Sequence, residues 1–155
     1  MKIQVKQLLI ALAIPLAAGG LASLLSGGMG EYRAMIQPPL SPPGWVFPVV
    51  WSILYLLMGY SSYRVYIAGK SPAFTKQALK LYAAQLLVNF VWPVVFFAFG
   101  WYLVAFFVLI GLWVLILLTI RAFTRIDETA GDLLIPYLLW VTFAGYLNFS
   151  IFLLN

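Results

Sequence analysis

Gln85, Asn89 and Trp92 stand at i, i+4 and i+7 in a long apolar stretch, a spacing that puts two amides and an indole on one face of a helix. Tyr137, Trp140, Ala144 and Asn148 follow a similar spacing near the C-terminus, with Gly145 beside them, and Trp51, Tyr55, Met58 and Ser62 form a third mixed face. These side chains donate and accept hydrogen bonds and stack on flat rings, but none of them is an acid or base near neutral pH. Their chemistry is recognition of a flat, mostly apolar ligand between aromatic plates with a few polar anchors. The same faces would also serve interhelical packing and hydrogen bonding that needs no ligand, because an amide in hydrocarbon requires a partner in either case.

Other chemistry is thinly provided for. The chain has no histidine and no cysteine, which removes the commonest general base, the commonest zinc ligand, thiolate nucleophiles and disulfides. Glu31, Asp127, Glu128 and Asp132 are its only carboxylates. No P-loop, G-x-S-x-G, H-E-x-x-H or dinucleotide fingerprint is present, so no side-chain catalyst, metal site or required cofactor is expected. Any reactivity would have to come from the bound molecule.

The elements that position these faces follow from composition. With 65% hydrophobic and 8% charged residues and a mean hydropathy of +1.03, the chain lacks the polar surface to coat a soluble globule. A helix crossing a hydrocarbon core of roughly 30 Å needs about 20 residues. The 155 residues therefore predict an all-α integral membrane protein, one domain over 1–155 folded as a five-transmembrane-helix bundle. Spans are expected at about 7–27, 45–68, 81–99, 102–122 and 133–154. The 43 residues from Leu81 to Phe123, almost continuously apolar, are twice a span, and Gly100, between Phe99 and Trp101, is the expected break. Lys70 to Lys80 reads as a polar loop. Trp45, Trp101 and Tyr102 read as interfacial belt residues. Lys2 and Lys6 ahead of an apolar run also fit a secretory signal, but the run is long for one and lacks an A-x-A site.

Charge placement orients the bundle. With the N-terminus cytoplasmic, Lys2, Lys6, Arg64, Lys70, Lys76, Lys80, Arg121 and Arg125 fall inside and Arg33 alone falls outside, which predicts N-in and C-out. The net charge of +5 is thereby explained without nucleic acid, for which no basic run exists. The loop before the second span holds Pro38, Pro39, Pro42 and Pro43, which fix φ and remove N–H donors. Such a stiff segment at a helix mouth is suited to act as a lid.

Three blocks of residues resemble the TspO/MBR family, the tryptophan-rich sensory proteins that include the translocator protein or peripheral benzodiazepine receptor. They are Tyr32 to Tyr66, with Pro42-Pro43-Gly44, Trp51, Tyr55 and Met58-Gly59-Tyr60; Asn89 to Phe97; and Pro136-Tyr137-Leu138-Leu139-Trp140 with Asn148 downstream. The resemblance implies a five-helix bundle, often a homodimer, that binds porphyrins, protoporphyrin IX or haem-like, and other flat apolar ligands under the first loop. Carried over by position, Tyr32, Pro42 and Pro43 belong to the lid, and Trp51, Tyr55, Asn89, Trp92, Tyr137, Trp140, Ala144 and Asn148 line or border the pocket. Leu40 departs from the family, which usually has an aromatic between the proline pairs, so one stacking surface on the ligand is expected to be missing. The tail after Leu147 has no Tyr or basic residue, so no sterol-recognition pattern is expected either.

The expected function is that of a membrane receptor or sensor for tetrapyrroles, with the bilayer and the porphyrin as partners. The alternatives are light- and oxygen-dependent porphyrin breakdown, or transport of porphyrin or another lipophile. The charge bias, with no targeting extension read ahead of the first span, favours a bacterial cell membrane.

Overall fold

The computed structural model of the chain describes residues 2–27, 32 and 34–155. Its helices are α1 (Val5–Ser26), α2 (Val46–Ala68), α3 (Pro72–Pro93), α4 (Tyr102–Thr124), the single turn α5 (Glu128–Asp132) and α6 (Ile135–Leu154). Among the described residues there is no strand. Five helical stretches among the described residues are long and apolar enough to cross a bilayer: α1, α2, α3 with its extension to Ala98, α4, and Glu128–Leu154. The five-helix expectation holds. Glu31 and Arg33 lie outside the described residues, and with them the one basic residue expected on the far side.

Each boundary has a local cause. Gly27 closes α1 in the left-handed region at φ 83°, which a glycine enters without steric cost. Pro15 sits buried inside α1, where neighbouring helices shield the freed carbonyl. Ser71 caps α3 by accepting the Phe74 N–H on its Oγ, and Pro72 occupies the first turn, where its missing N–H is no loss. The Lys70–Lys80 segment, read from sequence as a loop, is therefore mostly helix. Its Ala, Lys and Gln residues favour helix, and polarity alone set the expected boundary too late.

At the other end of α3, Pro93 supplies no N–H, and the chain widens into a π-helical turn, Val94–Ala98, closed by Phe99 N–H donating to the Val94 carbonyl at 3.1 Å. Gly100 then adopts φ 66° and the chain reverses into α4. The break expected at Gly100 is where the structure has it.

Consecutive spans alternate in direction, and contacts between their ends mark the two sides. On one side, the Gln4 N–H donates to Tyr63 Oη at 2.8 Å, and Arg64 on α2 pairs with Asp127 at the α4–α5 junction, Nε to Oδ2 at 2.6 Å. On the other side, the proline loop meets the C-terminus. The packed centre combines Met58, Leu112, Ile116, Phe123, Tyr137 and Val141. α1 approaches α2 through Gly59, where a Cβ would stand 2.6 Å from the Ala11 carbonyl oxygen.

Candidate functional site

The half of the bundle beneath the proline loop contains a cavity of about 320 Å³ between α1, α2, the end of α3 and α6. It lies within the size range of small-molecule sites, at the lower end. Tyr32, Trp51, Tyr55, Asn89, Trp92, Ala144 and Asn148 all contribute to its wall. Members of all three mixed faces read from the sequence thus converge on one space.

Two hydrogen-bonded chains fix the polar wall. In the first, the Tyr55 hydroxyl donates to Asn89 Oδ1 at 3.1 Å, Asn89 Nδ2 donates to Tyr137 Oη at 2.7 Å, and the Tyr137 hydroxyl donates to Gln85 Oε1 at 2.7 Å. In the second, Trp92 Nε1 donates to Asn148 Oδ1 at 2.9 Å, and Asn148 Nδ2 donates to the Tyr102 carbonyl at 2.8 Å. Inside hydrocarbon each bond also removes the cost of an unmet polar group. The aromatic plates are held similarly. Trp51 lies 5.6 Å from Tyr55 and edge-on to Tyr137 at 6.1 Å, while Trp92 stacks on Phe96 at 5.3 Å.

Not every expected residue reaches the cavity. Tyr137 is fully buried one layer behind the wall and acts on it through Asn89. Trp140 is also behind, edge-on to Phe47 at 5.9 Å, and its outer side faces a groove between α2 and α6 lined by Leu54, Leu57 and Phe143. Pro42 and Pro43 act through their carbonyls: Pro42 accepts the Tyr32 hydroxyl at 2.8 Å, and Pro43 accepts the Val46 N–H at 3.0 Å, starting α2.

Leu40 is corrected by the structure. It takes φ 71° at the third position of a tight turn closed by the Ser41 N–H on the Pro38 carbonyl, and its side chain is 82% exposed. The turn aims position 40 away from the cavity, so no plate of the wall is missing there.

The sequence reading also passed over residues that matter. α1 contributes Gly19, Gly20, Ala22, Ser23 and Ser26 to the wall. Their lack of side-chain bulk was the signal, since a helix without bulk leaves space. The proline loop is fastened by contacts far apart in sequence: Ile36 N–H donates to Asn155 Oδ1 at 3.1 Å, Asn155 Nδ2 donates back to the Ile36 carbonyl at 2.9 Å, and the Tyr146 hydroxyl donates to the Pro39 carbonyl at 2.7 Å. Tyr32 is the roof. Burial pushes its phenol above its ordinary pKa, with Ser41 opposing, so it stays a neutral donor to Pro42.

The wall carries no formal charge near neutral pH, and among the described residues no group of acids could hold a metal ion. The arrangement can sequester a flat apolar molecule, stack on it and offer oriented dipoles. It offers no side-chain acid–base pair.

Comparison with known proteins follows the same line. The sequence profile of the TspO/MBR family matches residues 11–154. The chain is 40% identical over 124 residues to the "Tryptophan-rich protein TspO" of Chlorobaculum tepidum, covering 80% of this chain and 78% of that one. It is 36% identical over 138 residues to "Protein CrtK" of Rhodobacter capsulatus, covering 89% and 86%. It is 36% identical over 144 residues to the "Translocator protein" of Bos taurus, covering 88% and 82%.

Proposed function

The chain belongs to the TspO/MBR family of multi-pass integral membrane proteins, and on that premise we propose that it is a membrane receptor or sensor for tetrapyrroles and similar flat apolar molecules. The observation that carries this reading is the neutral, aromatic-walled cavity beneath the fastened proline loop, with Trp51 and Trp92 as plates and Asn89 and Asn148 as oriented amides. A cavity of about 320 Å³ would hold one edge of a large macrocycle rather than enclose it. The translocator name of its Bos taurus relative agrees with a ligand-responsive membrane protein.

Titration of purified protein with protoporphyrin IX tests the proposal through quenching of tryptophan fluorescence. Saturable quenching is expected, weakened in Trp51→Phe and Trp92→Phe and changed less in Trp140→Phe, whose indole stands behind the wall. Unchanged affinity in the first two variants, with the fold intact, would reject this cavity as the site.

We also propose that the N-terminus is cytoplasmic, because Lys2, Lys6, Arg64, Lys70, Lys76, Lys80, Arg121 and Arg125 gather toward one side of the bundle. Protease accessibility of an N-terminal tag in sealed inside-out and right-side-out vesicles decides it.

A further inference from the structure

We infer that Gln85, which does not touch the cavity, decides which polar groups a ligand can present to Tyr55: hydrogen-bond donors are accepted and bare acceptors are disfavoured. The inference rests on the proposed ligand cavity and specifies its ligand chemistry.

Gln85 is 1% exposed and turns its carbonyl, Oε1, toward Tyr137. A carbonyl can only accept, so the Tyr137 hydroxyl must donate to it. With its proton committed, Tyr137 can only accept from Asn89, and it takes the Nδ2 donor. The Asn89 amide is then held with Oδ1 toward Tyr55, and the Tyr55 proton is spent on Oδ1. Tyr55 lines the cavity, and with its proton spent its phenolic oxygen has only lone pairs left to offer a ligand. One buried carbonyl thus sets the direction of three successive hydrogen bonds.

Reversing one member of this chain alone is disfavoured. Reversing Tyr137 alone would set its proton against the Asn89 Nδ2 donor and leave the buried Gln85 carbonyl unmet, at about 1–3 kcal/mol for the unmet group. Without a carbonyl at position 85 the balance inverts. A Tyr137 proton with no acceptor would turn to Asn89, the amide would rotate to offer Nδ2 to Tyr55, and the Tyr55 hydroxyl would be released to donate into the cavity. Gln85 is thus a positioning residue acting through Tyr137 and Asn89.

The ligand class follows from the chemistry of an acceptor in an apolar wall. A heteroaromatic N–H or a neutral carboxylic acid at the edge of a flat molecule meets Tyr55 favourably. An ionised carboxylate, an ether oxygen or a carbonyl meets it lone pair to lone pair.

Carbazole and dibenzofuran test this, being flat tricycles of nearly one shape that differ in an N–H donor against an oxygen acceptor. Their affinities for the full chain in detergent micelles are measured by calorimetry, and the reading is the carbazole-to-dibenzofuran ratio in each variant relative to wild type, which cancels their different partitioning. Wild type should favour carbazole, and Gln85→Leu should lower that ratio by about fivefold or more, the worth of roughly one hydrogen bond. Gln85→Glu keeps an acceptor carbonyl in either protonation state and should retain the wild-type ratio, while Tyr55→Phe should abolish the preference. A merely structural role for Gln85 would change both affinities together and leave the ratio alone, overturning the inference. A wild-type carbazole-to-dibenzofuran ratio below that of Tyr55→Phe would show that Gln85 gives Tyr137 its N–H instead, and would overturn it too. Both probes binding saturably with a ratio that Gln85→Leu does not shift defeats the inference but leaves the cavity reading standing. No saturable binding of either probe defeats both.

Discussion

Gly19 of α1 lies flat against the ring of Tyr55, so close that a Cβ built on Gly19 would overlap the ring. The contact joins the helix with the least side-chain bulk to the residue that starts the hydrogen-bonded chain through Asn89. Glycine is needed here for the close approach, since α1 is regular helix at this point.

Gly19→Ala should therefore destabilise the protein, although the same change in an unobstructed helix stabilises by roughly 0.5–1 kcal/mol. The methyl group must displace the Tyr55 ring, stretching or breaking its 3.1 Å bond to Asn89. We expect a lower melting temperature in detergent and weaker porphyrin quenching. Gly20→Ala, where a Cβ meets nothing within 4 Å, is the matched control for melting temperature and should be neutral or stabilising. Equal behaviour of the two variants would refute the packing role of Gly19.

Trp92 and Asn148 are expected to be energetically coupled. Asn148→Leu leaves the Trp92 Nε1–H without its acceptor, which should cost about 1–3 kcal/mol if it stays unmet, and removes a second bond from the Tyr102 carbonyl, which keeps its place in the α4 ladder. In a Trp92→Phe background the first of those groups is already gone, so part of the loss from Asn148→Leu should disappear. A double-mutant cycle on thermal or denaturant unfolding measures the difference, and strictly additive losses would contradict the coupling.

The Arg64–Asp127 pair ties α2 to the α4–α5 junction. Their side chains are 22% and 16% exposed, and Arg64 Nη1 also donates to Tyr60 Oη at 3.2 Å. Partial exposure weakens the pair through solvent screening, so Asp127→Ala should cost only about 1–2 kcal/mol, from leaving the guanidinium without its carboxylate. The double variant Arg64→Met with Asp127→Leu should recover most of the loss. A double variant less stable than Asp127→Ala would mean that Arg64 stabilises the bundle chiefly through Tyr60 and its aliphatic stem.

Much of this arrangement was legible in the sequence, for physical reasons that differ by residue. Span number follows from hydrophobic length, and Gly100 was readable because a glycine between Phe99 and Trp101 stands near the middle of a nearly continuous apolar stretch twice the length of a span. Asn89, Trp92 and Asn148 were readable because polar groups in hydrocarbon must face inward, so helical spacing suffices to aim them. Gln85 was readable as inward-facing on the same ground, but its control over bond direction needs the order of partners that only tertiary contacts supply. Depth was less legible: Tyr137 and Trp140 share a broad face with Ala144 and Asn148, yet their positions along α6 put them behind the wall. The contribution of α1 was hidden because Gly, Ala and Ser announce no direction. The clamp of Asn155 on Ile36 joins residues 119 apart in sequence, and no local pattern signals it.

Leu40 sets the last prediction, because its backbone and its side chain give separable outcomes. A non-glycine residue at φ 71° costs roughly 1–2 kcal/mol, and glycine at the third position of such a turn removes that cost. The Leu40 side chain is exposed and absent from the cavity wall, so the substitution takes nothing from a bound ligand. Leu40→Gly should raise the melting temperature while leaving porphyrin affinity within about twofold of wild type. Leu40→Trp, which restores the aromatic usual in the family while keeping the strained backbone, should leave both stability and affinity nearly unchanged in detergent. A large gain in porphyrin affinity for Leu40→Trp would mean that the turn reorients over the cavity when ligand binds and that position 40 joins the wall after all. The Tyr146 and Asn155 bonds to Pro39 and Ile36 argue against such a swing, so Tyr146→Phe together with Asn155→Ala should be the pair that permits it. Only in that unfastened background should Leu40→Trp strengthen binding.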